Sequence, residues 1–364
     1  MDKMKQLYPL KFNPVPSERP WGGHELVKKF NKPFDAGKVI GESWEVSGFE
    51  QASSVVADGF LAECELYDLV ETYMDELVGE DNYKRFGNEF PLLIKFLDIQ
   101  DRLSVQVHPD DETAFDRHGC YGKSECWYVM DAAPDAVVYM GFSRDVEPNE
   151  FYQLCKEGRL EEVLNVVHPK KGDFFYIEAG TVHSATGGVT IAEVQQLSDA
   201  TYRIYDWGRE LNPATRRQMH LDEAFTCINY KKYDADKYFV PAERAQGYVT
   251  RNEHFSVSIL PITDKYHIYP ANYGSFIVYL CVEGACTVEC AAGKWDMKAG
   301  ESMLIPASMS DFFISPEGES AKVVEAYIEK PSDEDGYVEE DHCDCGHEHH
   351  GHDHCDCGHH HHNG

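Results

Sequence analysis

The sequence predicts a mainly β protein made of two barrels or sandwiches, the first interrupted twice by helix and the second followed by a polar tail. Three observations carry this reading. Short apolar runs bounded by turn residues fill much of the chain from residue 103 onward. Two blocks break that rhythm with apolar residues at helical spacing. A segment at 170–184, KKGDFFYIEAGTVHS, also lines up with KAGESMLIPASMSDF at 298–312. The match places Gly172 on Gly300, Ile177 on Ile305, Ala179 on Ala307 and His183 on Asp311. Two similar units, only one of which keeps the histidine, would produce it.

The elements follow in order. Residues 1 to about 60 are rich in Pro, Gly, Trp and Val, with short extended runs such as SWEVSG. Leu66, Leu69, Tyr73 and Leu77 then recur at helical spacing. Phe90, Leu92, Leu93, Ile94, Phe96 and Leu97 form an apolar cluster that reads as the entry to a buried strand. Strands are expected from Leu103 to Gly141, where HPDD and DAAPD mark turns. A second helical block carries Phe151, Leu154, Leu160, Val163, Leu164 and Val167 on one face, and strands return from Asp173 to about Tyr205. FSVSILPI, SFIVYLCV, ACTVECAA, SMLIPAS and KVVEAYIE make the region from 240 to 328 all β. The expected divisions are 1–235 with helical insertions at about 60–97 and 145–168, then 236–329, then a tail at 330–364.

At 364 residues the chain exceeds one ordinary core, and 42% hydrophobic with 27% charged residues is a globular composition. The net charge of −31 excludes nucleic acid and anionic membrane as partners, since both would be repelled. A small phosphorylated ligand needs only a local group of Lys and Arg. The opening MDKMKQLYPLKFNPVPSERPWGG lacks the apolar core of a signal peptide, and the run around 276–281 is far short of the roughly 20 residues a membrane span needs. A cytoplasmic protein is expected. Eight cysteines scattered through the body (Cys64, Cys120, Cys126, Cys155, Cys227, Cys281, Cys286, Cys290) then read as free thiols.

Three segments carry chemistry. In LSVQVHPDD (103–111), strand alternation puts Ser104, Gln106 and His108 on one face and Val105 and Val107 on the other. In GKSECWYVM (122–130), Lys123 and Glu125 share a face. In GDFFYIEAGTVHSATGG (172–188), an apolar strand ends in Ala-Gly, turns and presents His183. Each alone also fits a strand edge or a surface histidine. Together Gln106, His108, Glu125 and His183 supply two imidazoles, a carboxylate and an amide oxygen, a donor set for Zn²⁺ and also for Fe²⁺, Mn²⁺ or Co²⁺. Arg19, Lys171 and Arg209 read as solvated charges, and Trp21 and Trp207 as core rather than sugar platforms.

These segments, with AEVQQLSDATYRIYDWGR and RPWGG, resemble the short bacterial form of type I phosphomannose isomerase over about residues 8–329. The resemblance implies two cupin-like jelly-roll barrels. It implies one Zn²⁺, or another divalent cation, per catalytic site on Gln106, His108, Glu125 and His183. It makes Arg203 the catalytic arginine, Lys123 and Glu193 polar active-site residues, and Ser104 a serine near the substrate phosphate, with Lys123 and Arg203 also touching substrate. The implied reaction interconverts mannose 6-phosphate and fructose 6-phosphate through an enediol. Negative charge then develops on sugar oxygens, where a cation and a fixed guanidinium stabilise it, and Glu193 is a candidate general base. The partner is a phosphorylated hexose, and the oligomeric state is left open.

Two other readings stand beside it. Two histidines and a carboxylate also make a non-haem iron oxygenase site, which has no use for Arg203 and Lys123 near the metal. A sugar-sensing or metal-storage protein would put function in the tail. From residue 331 the chain has ten Asp or Glu, no Lys or Arg, and ten of its 18 His. The hexapeptide His-Cys-Asp-Cys-Gly-His occurs at 342–347 and again at 354–359. Such a tail is expected to be disordered without a ligand and to bind additional metal ions through thiolates and imidazoles.

Overall fold

The computed structural model describes residues 6–329. The expectations for the tail, its lack of order and its extra metal ions, fall outside those residues.

The first part of the chain supplies β1 (Val15–Gly23), β2 (Ile40–Ser47), β3 (Leu92–Ile99), β4 (Val105–Val107), β5 (Glu125–Ala132) and β6 (Val137–Phe142). It continues with β7 (Leu164–Val167), β8 (Phe174–Ile177), β9 (His183–Thr186), β10 (Val189–Gln196), β11 (Tyr202–Tyr205) and β12 (Phe239–Val240). They form a seven-stranded sheet in the order β1-β2-β3-β10-β5-β8-β12 and a five-stranded sheet β11-β4-β9-β6-β7. The second part supplies β13 (Gly247–Arg251), β14 (Ser256–Ile262), β15 (Tyr266–Ile268), β16 (Ile277–Glu283), β17 (Ala285–Cys290), β18 (Gly293–Lys298), β19 (Ser302–Ile305), β20 (Phe312–Pro316) and β21 (Ala321–Tyr327). These make the sheets β13-β14-β21-β16-β19 and β15-β20-β17-β18.

Strand alternation decides how the sheets stack. On β5, Trp127 and Val129 point toward the partner sheet of the first sandwich, where they meet Val138, Met140 and Ala185. Cys126, Tyr128 and Met130 point the other way, into a cluster shared with Phe276 and with Val278 and Leu280 of β16. The seven-stranded sheet is therefore covered on both faces, and β3 and β10 are buried at every residue. Facing away from that cluster, Ile277, Tyr279 and Cys281 of β16 pack with Cys286, Val288 and Phe312. The result is four β layers in sequence. Among the described residues no registered ladder joins a sheet to its sandwich partner, so the expected barrels are open sandwiches. Edge strands such as β7 and β12, of four and two residues, run out before a ladder can turn the corner.

The internal repeat has a structural counterpart. β8 and β19 coincide residue for residue in the alignment, and Gly172 and Gly300 precede them with φ of 95° and 88°. Glu193 lies opposite Trp127 and takes its indole hydrogen bond at 2.8 Å. At the matching place Glu325 lies opposite Tyr279 and takes its hydroxyl at 2.9 Å. The counterpart of Glu125, opposite Ile177, is Ile277, opposite Ile305.

The helical expectations need three corrections. The first block forms short helices at Leu66–Tyr73, Asp75–Val78 and Glu80–Phe86, broken where Met74 and Gly79 take φ of 49° and 96°. In the second, helix Pro148–Glu157 ends at the left-handed Gly158, and the β-branched run around Val166 and Val167 becomes strand β7. A helix also spans Asp111–His118, where turns and strands were expected. Asp110 caps it through the Thr113 amide at 2.8 Å, with Asp111 and Glu112 in its first turn and Arg117 and His118 in its last.

Candidate metal centre

The donors converge because two sheets bring them face to face. Gln106 on β4 sits opposite His183 on β9, and the inner face of the seven-stranded sheet presents Glu125 on β5. His108 follows β4, and its backbone carbonyl accepts the Gly180 amide at 2.9 Å, which ties it to the turn before His183. The ligand atoms of His108, Glu125 and His183 all lie within 4.8 Å of one another. Nε2 of His108 is 3.4 Å from Glu125 Oε2, Nε2 of His183 is 3.3 Å from Oε1, and the Gln106 amide nitrogen is 3.2 Å from His183 Nε2.

All four residues are buried, which would be costly for a carboxylate without compensation. Glu125 has no well-aligned hydrogen bond on either oxygen, although the Lys123 ammonium lies 2.9 Å away. Burial alone would raise its pKa; the Lys123 charge outweighs that and holds it well below the usual range. Burial, reinforced by Lys123, pushes His108 down to about 3, so its imidazole is neutral. The ring Nδ1 atoms of His108 and His183 face the carbonyl oxygens of Ala200 (3.0 Å) and Thr181 (2.9 Å). Those contacts place the proton on Nδ1 and leave each Nε2 lone pair aimed inward. Two inward lone pairs and a buried, ionised carboxylate fit a divalent cation, with Gln106 able to add an amide oxygen.

A cleft of about 510 Å³ opens over this group, lined by Gln106, Lys123, Glu193 and Arg203 among others. Glu193 accepts from Trp127 and has the Lys95 ammonium 3.2 Å from its other oxygen. Burial pushes its pKa up, and the Lys95 charge offsets that in part. For Lys123, burial opposes the charge, but Glu125 and Glu193 keep its pKa above the ordinary value. Ser104 is buried between Arg203 Nε (3.3 Å) and Gln106 Oε1 (3.4 Å). Arg203 also donates to the Gln218 carbonyl at 2.6 Å, and burial with the charge of Arg217 lowers its pKa to about 10.

Of the basic residues read as solvated, Lys171 is on the surface beside Glu283, but Arg19 lines the cleft and Arg209 turns inward onto Asp206. Trp21 is buried and lines the cleft as well. The sequence reading missed Glu42, Trp44, Lys95 and Arg217 on the cleft wall. Lys95 left a trace as the one charge inside PLLIKFL; Arg217, in a polar stretch, left none. A larger cavity of about 990 Å³ shares only Trp44 and Asp199 with the cleft and holds none of the four donors.

The chain is similar to known proteins over most of its length. Residues 10–136 match the family model for the catalytic domain of type I phosphomannose isomerase, and residues 244–325 match that for the cupin domain of mannose-6-phosphate isomerase. A "Probable mannose-6-phosphate isomerase GmuF" of Bacillus subtilis is 34% identical over 84% of this chain and 96% of its own. The mannose-6-phosphate isomerase ManA of the same organism is 32% identical over 84% and 95%. The crystal structure of a mannose 6-phosphate isomerase from Bacillus subtilis superimposes with a TM-score of 0.75 at 28% identity, over 88% of this chain and 99% of that one.

Proposed function

The chain belongs to the type I phosphomannose isomerase family, and on that premise we propose that it interconverts mannose 6-phosphate and fructose 6-phosphate at the cleft over Glu125. The observation that carries this is the buried Glu125 carboxylate, paired with Lys123 and flanked by two inward-facing imidazole nitrogens.

Gln106, His108, Glu125 and His183 would hold the cation, which we take to be Zn²⁺. Bound there, the cation supplies a Lewis acid for the sugar oxygens. The rest falls to the side chains. Isomerisation moves one proton between C1 and C2 of the sugar and a second between O1 and O2, through an enediolate whose negative charge falls on those two oxygens. Arg203, anchored through Ser104 and the Gln218 carbonyl, presents a guanidinium whose orientation needs no rearrangement as that charge appears. Glu193 has one oxygen tied to Trp127 and a pKa raised by burial, which suits a group that takes and returns a proton. Lys123 neutralises Glu125 and stands on the cleft wall within reach of a substrate oxygen. An oxygenase would have no use for this cationic wall.

Both sandwiches are read as cupin-type jelly rolls, the catalytic one spanning 1–235 and completed by β12 at Phe239–Val240, the second formed by the strands from β13 up to 329. The segment 330–364 is read as a site for additional metal ions. Among the described residues no helix is long and apolar enough to cross a membrane, and we place the enzyme in the cytoplasm. A coupled isomerase assay on mannose 6-phosphate, with and without chelator, tests the whole reading. Turnover abolished by chelation and restored by Zn²⁺ supports it. No turnover in the metal-loaded protein, or chelator-resistant turnover, would sink it.

A further inference from the structure

The cleft gathers five of the chain's basic side chains in a protein that is strongly acidic overall. Its walls carry Arg19, Lys95, Lys123, Arg203 and Arg217 against Glu18, Glu42, Glu193 and Asp199, although the chain has 33 Lys and Arg to 64 Asp and Glu. Two of these cations, Lys95 and Lys123, are engaged with the deep carboxylates Glu193 and Glu125. The three arginines differ. Arg203 is two hydrogen bonds from the metal donors, through Ser104 and Gln106. Arg19 and Arg217 touch no metal donor; each is gripped along one edge by a carboxylate.

That grip is built with care. Arg19 gives Nε and Nη2 to Glu42 at 2.9 and 3.2 Å, leaving Nη1 without a partner among the described residues. Arg217 gives Nε and Nη2 to Asp206 at 3.0 and 2.5 Å, again leaving Nη1. Asp206 is wholly buried, also takes Arg209, and precedes Trp207, whose φ of 59° is an uncommon conformation for a bulky residue. The Trp207 indole is held on the Leu103 carbonyl at 2.6 Å, so the turn is locked from its other side. A strained turn that buries a carboxylate to aim an arginine at a cleft is a device for fixing a guanidinium before a ligand arrives.

We propose that Arg217 and Arg19 clamp the phosphate dianion of the substrate between their free Nη1 edges, with Asp206 and Glu42 as positioning residues, while Arg203 is left to the reacting carbons. The assignment rests on the isomerase reading above for the identity of the anion. It separates phosphate binding from charge stabilisation at C1 and C2, which one arginine could not serve at both ends of an extended hexose phosphate.

The test uses the full-length, metal-loaded protein and the variants Arg217→Lys, Arg217→Gln and Arg19→Gln. Inhibition by inorganic phosphate and the KM and kcat for mannose 6-phosphate are measured on each. Arg217→Lys keeps a charge for Asp206, and Arg19→Gln leaves the buried Glu42 its Lys95 charge and Trp44 hydrogen bond, so at least one of the three remains folded. The expected result is a KM raised roughly 10- to 100-fold for either Gln variant, the loss that a charge-assisted hydrogen bond carries. The phosphate inhibition constant rises in parallel, and kcat stays within about threefold, the pattern of a group that binds ground and transition states alike. Unchanged phosphate inhibition in both Gln variants, or a loss confined to kcat, would overturn the clamp. Should the parent not isomerise the sugar, the isomerase reading fails by itself, and calorimetric titration of inorganic phosphate into parent and variants still decides the clamp.

Discussion

Each site histidine is committed to one tautomer by a backbone carbonyl, so removing a ligand leaves a defined hole rather than a rearranged site. His183→Ala and Glu125→Ala are expected to lose the bound metal and nearly all turnover while the fold persists, and metal analysis by mass spectrometry with circular dichroism checks both. Arg203→Ala should keep the metal and lower kcat and kcat/KM together by about 10²- to 10³-fold, as removal of one charge-stabilising donor does. At Glu42, burial raises the pKa, but the charges of Lys95 and Arg19 and the hydrogen bonds from Arg19 and Trp44 outweigh it and bring it to about 2. A carboxylate with a depressed folded pKa stabilises above its unfolded value, about 4.3, and that contribution disappears as pH falls toward 2. Glu42→Gln should therefore cost on the order of 2–3 kcal/mol at pH 7. In urea titrations the gap to the parent should narrow by pH 3; a constant gap would show that Glu42 is not held by charge.

Among the elements, the turns do as much for the site as the strands. Gly180 takes φ of 87°, its amide donates to the His108 carbonyl, and a Cβ built on it would lie 2.9 Å from the Cys227 carbonyl oxygen. Gly180→Ala is expected to destabilise the protein by about 1–2 kcal/mol. Because the turn ties His108 to His183, the same change should weaken metal affinity by about tenfold without touching a ligand. A competitive chelator titration reads the second effect; unchanged affinity would separate the turn from the metal group. The strands themselves were legible where apolar runs were long, as at β3 and β10. The helix Asp111–His118 was not, because its N-terminal Asp-Asp also spells a turn and its apolar face is short, with Ala114 its one buried residue.

At the scale of the whole molecule, the second sandwich serves as the outer cover of the catalytic sheet. Phe90 and Phe276 meet across that boundary with ring centroids 4.5 Å apart, both fully buried. Phe276→Ala should cost about 3–5 kcal/mol, as large-to-small changes in a closed core do. The loss should appear in one unfolding transition followed equally by tryptophan fluorescence and by metal release. Two separated transitions would mean that the sandwiches fold independently despite their shared core.

The sequence by itself determined the β character, the grouping of His108, Glu125 and His183 as candidate donors, and the repeat between the two units. Those features are written in local pattern, as side-chain alternation in LSVQVHPDD, the charge inside GKSECWYVM and the matched segments around Gly172 and Gly300. Only the tertiary structure decided that the catalytic sheet is covered on both faces, that the sandwiches stay open, and that Arg19, Glu42, Lys95 and Arg217 share a wall with Glu193. Those residues come from β1, β2, β3 and a loop far along the chain, and no local spacing encodes their approach. The contact is made by strand order, in which β3 and β10 lie side by side although 90 residues apart, and strand order depends on burying two faces at once.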